Sequence, residues 1–222
     1  MGSDRHEATI RMPLADARAG RMPWPAAVRA FIWIDAVVLT ALALAAGGKP
    51  LVLGYDAGIW TWTASAGSTL TAVLAALSAF ELTAPGRSRL WGWLPVPGFA
   101  LWIGASGLGC LALPGGTDAW GDTLAEAGEC LAFLLKISAP LLALMLFMLW
   151  RVAPLMPWRV VALGGLASTG AAASLLALVH PHDAALLDLG AHAIAIVAVL
   201  AVGAVAARLA RRIPAVSRRS AR

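Results

Sequence analysis

Six apolar runs, separated by short polar stretches, dominate the chain. We place them near residues 30–47, 58–80, 90–113, 129–150, 157–179 and 185–207. Each is about 17 to 25 residues long, which is the length that a helix needs to cross ~30 Å of hydrocarbon. Because lipid offers the backbone no hydrogen-bond partners, each run is predicted to be a helix. The pattern predicts an all-α, polytopic membrane protein with a six-helix transmembrane bundle over residues 30–207.

The basic residues lie between alternate apolar runs. Segment 1–29 holds five of them, the turns 81–89 and 151–159 two each, and the tail 208–222 six, which is 15 of the 17 in the chain. By the positive-inside rule, both termini are predicted to be cytoplasmic, in the inner membrane of a bacterium. Tryptophans near the predicted span ends suggest an aromatic belt: Trp33, Trp60, Trp62, Trp91, Trp93, Trp150 and Trp158.

Composition excludes several classes of protein. The chain is 60% hydrophobic and 13% charged, with a mean hydropathy of +0.78, which a soluble domain of this size could not bury. The net charge of +5 does not indicate a nucleic-acid partner, because the basic residues fall between apolar runs. We find no phosphate-binding loop, dinucleotide fingerprint, nucleophile elbow or HExxH motif, so an enzyme is not expected.

Segment 1–29 is predicted to bind a partner protein. Ile10, Leu14 and Ala17 recur at helical spacing, which permits a short amphipathic helix before the prolines at 23 and 25. Ile10, Leu14 and Arg18 are the residues that we expect to contact the partner. The alternative interpretation is a disordered basic tail.

The fourth and fifth runs form a predicted hairpin with reactive groups at its far end. Folding them back on each other brings Cys130, His180 and His182 to one side, opposite the basic turn between the runs. We interpret these three residues as a candidate sensing site. The fifth run also repeats small residues every four positions, from Gly164 to Ala172, which predicts a central helix in the bundle.

Metal binding and a disulfide are two further hypotheses for this end. Cys130, His180, His182 and His192 are donors suited to zinc or another transition metal, which we expect as a signal and not as a resident cofactor. Interfacial histidines bonded to backbone or water are the alternative. Cys110 lies on the same side, so a disulfide with Cys130 competes with two independent thiols.

Two ionisable residues fall within the predicted spans. At about 1.5 Å per residue, Asp35 lies about 8 Å from the cytoplasmic edge and Lys136 about 10 Å from the outer edge. In a ~30 Å core this leaves roughly 12 Å between their depths, so we expect no pair and expect each side chain to reach its own interface.

The chain resembles the NrsF-like family of bacterial six-helix membrane anti-sigma factors. The residues that carry the likeness are Cys130-Leu131, Ile137, Pro140-Leu141, Arg151-Val152-Ala153-Pro154, Gly164-Gly165-Leu166-Ala167, Ala171, Leu178 and His180-Pro181-His182-Asp183. Residues 14–18 and 28–30 are similar to the N-terminal lead-in of the family.

The resemblance implies a protein that holds an extracytoplasmic-function (ECF) sigma factor at the inner membrane through its N-terminal segment and releases it under stress at the outer face. The family usually carries two cysteines on that face. Cys130 matches the first, and His180 stands at the second, so either Cys110 replaces the missing cysteine or Cys130 and the histidines sense a metal or oxidant directly. Loss of sensing is a third interpretation. The competing class is a small transporter or permease-like protein that uses Asp35, Lys136 and the outer histidines His180, His182 and His192. A membrane scaffold without chemistry of its own is another.

Overall fold

The structure is a computed structural model that describes residues 24–48, 58–84, 86–112, 120–152, 158–179 and 186–212. It contains six α-helices: α1 (Ala26–Ala46), α2 (Ile59–Glu81), α3 (Val96–Ala112), α4 (Trp120–Val152), α5 (Trp158–Val179) and α6 (Leu186–Arg212). A 3₁₀ helix, Arg89–Trp93, precedes α3. The described residues contain no strand, so the all-α fold class is confirmed.

Five helices are long and apolar enough to cross a membrane. They are α1, α2 and α5, together with Ala127–Val152 of α4 and Leu189–Leu209 of α6. Helix α3 is not among these five: it has 17 residues and begins six positions after the predicted start at residue 90. Proline has no N–H and belongs in the first turn of a helix. Pro95 and Pro97 therefore set this start, and the first α-helical bond runs from the Phe99 N–H to the Pro95 oxygen at 2.9 Å.

The first helix begins four residues earlier than the sequence predicts. The Arg29 N–H donates to the Pro25 oxygen at 3.2 Å, so the helix starts directly after the prolines. Arg29 thereby becomes part of α1 and is 4% exposed, whereas the sequence places it in the polar segment.

Neighbouring helices along the chain run in opposite directions. One apolar cluster, here called the terminal cluster, joins the start of α1 to the ends of α2, α4 and α6 and the start of α5; it includes Ala30, Phe80, Leu149, Val160 and Ala207. A second cluster lies at the opposite end and contains Cys130, so we call it the Cys130 cluster. The start of α1 and the end of α6 therefore lie at the same end of the bundle.

The fifth helix is the centre of the bundle, as its small residues predict. Fourteen of its 22 residues are buried. Helices α1, α2, α3, α6 and α4 follow one another around it, each in contact with the next. At Gly170 an added Cβ would lie 3.0 Å from the Ser68 oxygen of α2, which is tighter than an ordinary van der Waals contact, so glycine allows the close approach of these two backbones.

Candidate sensing site

Cys130 lies in α4 and is enclosed by three neighbouring helices. Cys130 is 6% exposed, and Leu134, one turn further along α4, is 1% exposed. The Cys130 cluster is completed by Ala172, Ala173 and Leu176 of α5, Trp102 of α3 and Ala195 of α6. The side chain of Cys130 therefore lies in a packed apolar interface between α3, α4, α5 and α6, where an added group would have to be accommodated by its neighbours.

An aromatic contact joins His192 to the same cluster. The His192 ring meets the Trp102 ring edge to face, with centroids 5.8 Å apart and planes at 83°. Trp102 is 3% exposed and makes a second edge-to-face contact with Phe99, at 6.1 Å. Such pairs have a preferred geometry, so the indole fixes the imidazole relative to α3. Of the residues predicted for sensing or metal binding, Cys130 and His192 are the two that the structure places around one cluster.

The other predicted site residues lie outside the described part of the chain. They are His180, His182, the side chain of Cys110, and Ile10, Leu14 and Arg18 of the N-terminal segment. Within the described ranges, no group of three or more His, Cys, Asp or Glu side chains could hold a metal ion. The metal set, the disulfide and the partner-binding residues stay predictions.

Trp33 has a role that the sequence did not predict. The prediction that Trp33 belongs to the aromatic belt is wrong, because Trp33 is 1% exposed and packs in the terminal cluster. Its Nε1–H donates to the Leu141 oxygen of α4 at 3.1 Å. Pro140, next to Leu141, has no N–H to donate to the Lys136 oxygen one turn earlier, so α4 is locally weakened where α1 is attached.

Arg29 fixes the start of α1 to the end of α2. Its Nη2 donates to the Phe80 oxygen at 3.4 Å and to the Thr83 Oγ1 at 3.2 Å, and the guanidinium lies 5.1 Å from the centre of the Phe80 ring. A cation at a helix C-terminus is stabilised by the carbonyl groups there. The signal in the sequence is the spacing: Arg29 and Trp33 are four residues apart and share the buried face of α1.

A model of one protein family matches residues 14–212, which is nearly the whole chain. The family is described as NrsF, negative regulator of sigma F. No curated protein and no solved structure matches the chain. The matched range includes every described helix, together with part of the segment that precedes α1. The chain therefore belongs to the NrsF family of negative regulators of sigma F.

Proposed function

We propose that the protein holds an ECF sigma factor at the bacterial inner membrane through its N-terminal segment and releases it when a metal ion or oxidant acts at the Cys130 cluster. The observation that carries this proposal is the match to a family of sigma-factor regulators over residues 14–212. The matched range includes five helices that are long and apolar enough to cross a membrane. The sigma factor is soluble, so the segment that binds it lies on the cytoplasmic side.

The distribution of charge supports this orientation. The end of the bundle that carries the terminal cluster also carries Arg87, Arg151, Arg159 and Arg208. The positive-inside rule favours this end for the cytoplasm. The Cys130 cluster at the other end then faces the periplasm, where metal ions and oxidants arrive first.

A single helix joins the proposed sensor to the proposed output. Helix α4 has 33 residues, which is about 50 Å at 1.5 Å per residue. Cys130 lies in its outer part, and Leu141 holds Trp33 of α1. Helix α1 follows directly on the N-terminal segment. A displacement of α4 at Cys130 therefore reaches the sigma-binding segment through one hydrogen-bonded contact.

The chemistry at Cys130 supplies the displacement. Oxidation adds oxygen to the sulfur, and metal binding draws a thiolate toward other ligands. Both changes put a larger or more polar group among the alanines of α5 and α6. The hairpin of α4 and α5 would then take a second arrangement, and the weak point at Pro140 is where α4 would adjust.

Co-purification of the full-length protein with the sigma factor tests the output. Leu14→Asp places a charge on the apolar side of the predicted N-terminal helix, and we expect recovery of the sigma factor to fall at least about tenfold. Leu90→Asp is the matched control, because Leu90 is 75% exposed at the same end of the bundle. Equal recovery with both variants would contradict binding through this segment.

Induction of the target genes tests the sensor. Cys130→Ser should abolish induction by metal or oxidant while repression without stress is retained. Cys130→Ala is the control for polarity, since it keeps an apolar side chain in the cluster and removes only the thiol. Loss of induction in both variants assigns the response to the sulfur, and unchanged induction in both removes Cys130 from sensing.

A further inference from the structure

Two charged side chains lie on the outside of the bundle, within the stretches that lipid would surround. Asp35 of α1 and Lys136 of α4 are both exposed. Phe31 and Leu39, on the same face of α1 as Asp35, are each 64% exposed. Lipid accounts for these apolar side chains. It does not account for the charges, since a lone Asp or Lys at the centre of a membrane helix costs about 2.5–3.5 kcal/mol.

Both charges point away from the core of their own bundle. Asp35 is two residues after the buried Trp33, which is about 200° around a helix of 3.6 residues per turn. Lys136 is five residues before the buried Leu141, which is about 140° around α4. Each therefore lies near the middle of an outward face. Asp35 and Lys136 of one chain form no ion pair with each other in the structure.

The two charges are nearly level in the membrane. The bond from Trp33 to Leu141 places these two residues at one depth, and α1 and α4 run in opposite directions. Toward the Cys130 end, Asp35 is two residues beyond this bond, or about 3 Å, and Lys136 is five residues beyond it, or about 7.5 Å. Their depths thus differ by about 4–5 Å, less than the roughly 12 Å expected from the sequence, because the contact between α1 and α4 sets the relative depth of the two helices. The long stem of lysine covers this offset.

We infer that α1 and α4 form a docking surface for a second copy of this chain. The two helices are neighbours on the rim of the bundle, so their outward faces make one surface with an acid on one half and a base on the other. Rotation by 180° about an axis along the membrane normal keeps every depth unchanged. It brings Asp35 opposite Lys136 of the partner subunit, and the same pair forms again on the other side of the axis.

A second copy fits this surface because the surface is complementary to itself. Two reciprocal ion pairs would neutralise all four charges away from lipid, whereas a partner with one kind of charge would leave half of them unpaired. Helix α1 is also the helix that most lacks cover: of its 21 residues, Arg29, Ala30 and Trp33 are buried. Against the partner's α4, its remaining face would be enclosed on a second side.

Reversal of the two charges gives a direct test with full-length protein. Two differently tagged copies are expressed together, and recovery of one with the other is measured from solubilised membranes. Asp35→Lys alone should lower recovery of like with like at least about tenfold, because two lysines then face each other in both contacts. Lys136→Asp alone should lower recovery to the same extent, because two acidic side chains then face each other in both contacts. Co-expression of the two single variants restores both ion pairs, and recovery should return to within about threefold of the wild type.

The mixed pair also separates loss of contact from loss of folding. A variant that did not fold could not be recovered with the other, so a restored mixed pair shows that both fold. If the mixed pair is recovered no better than either variant with itself, the inference is wrong. Should a reversal variant fail to accumulate in the membrane, Asp35→Asn and Lys136→Gln remove the charge at nearly constant shape. Each should still lower recovery at least about threefold, and wild-type recovery with both would overturn the inference.

Photo-crosslinking locates the surface independently of charge. A photoreactive residue in place of Leu39, which is 64% exposed on α1, should give a cross-linked dimer in intact membranes. Leu101 is the matched control: it is 43% exposed on α3, which lies across the bundle from the α1–α4 edge. A dimer from Leu101 and none from Leu39 would place the contact elsewhere and refute the docking surface.

Discussion

The closest approach between helices α2 and α3 makes Gly67 the position where one methyl group should do the most harm. A Cβ at residue 67 would lie 2.5 Å from the Trp102 nitrogen and 2.8 Å from the Trp102 Cα. It would also lie 3.1 Å from the Gly98 oxygen. All three atoms belong to the backbone of α3, so no side chain can turn aside. Since carbon atoms in contact stay about 3.5–4.0 Å apart, Gly67→Ala must push the two helices about 1 Å apart at this point.

Two opposing effects determine how Gly67→Ala changes the free energy of unfolding. Overpacking of this kind costs about 1–3 kcal/mol. Alanine is a better helix former than glycine, which returns about 1 kcal/mol. Gly104→Ala is the matched control, because a Cβ at Gly104 of α3 meets nothing within 4 Å. This variant gains the helix propensity of alanine without the cost of overpacking. We therefore expect Gly67→Ala to have a free energy of unfolding about 1–3 kcal/mol below that of Gly104→Ala.

Unfolding by sodium dodecyl sulfate in mixed micelles, followed by circular dichroism, measures this difference. Under the proposed function, Gly67→Ala should also alter induction of the target genes by metal or oxidant, because Trp102 belongs to the Cys130 cluster and contacts His192. The reasoning would be refuted if Gly67→Ala were as stable as Gly104→Ala, since the two helices would then not approach as closely as the structure shows.

Two further substitutions address the attachment of α1. Trp33→Phe removes the hydrogen bond to the Leu141 oxygen and part of a buried side chain. We expect a loss of about 1–3 kcal/mol in the same unfolding assay. Under the proposed function, we also expect weaker induction of the target genes at unchanged sigma-factor binding, and full induction would exclude this contact as the link between α4 and α1. Arg29→Lys keeps the charge but not the planar group that reaches both the end of α2 and Thr83, and should cost about 1–2 kcal/mol. Arg159→Lys, at an exposed residue, should change stability by less than about 0.5 kcal/mol, and equal effects of the two changes would contradict a specific role for Arg29.

The sequence was sufficient for the helices and for the central position of α5. A segment in lipid must bond its own backbone, so an apolar run of the right length specifies a helix without reference to the rest of the chain. The row of small residues from Gly164 to Ala172 predicted close packing, because glycine and alanine allow close approach whichever helices come near. Both features are local, and both are confirmed. The family, too, could be identified from short motifs along the chain.

Tertiary structure decided which face each helix turns inward and at what depth. Trp33 looked like a belt residue because it lies near one end of an apolar run, but its partner, Leu141, is 108 residues away. The same contact between Trp33 and Leu141 places Asp35 close to the level of Lys136, whereas the boundaries of the apolar runs predict a large difference in depth. The residue type alone makes Cys130 a candidate for sensing, whereas its enclosure by Ala172 and its neighbours depends on three other helices. Apolar patterning sets where a helix lies in the membrane, and contacts between distant residues set its rotation and register. In this protein those contacts determine what surrounds Cys130 and place Asp35 and Lys136 on the outside of the bundle.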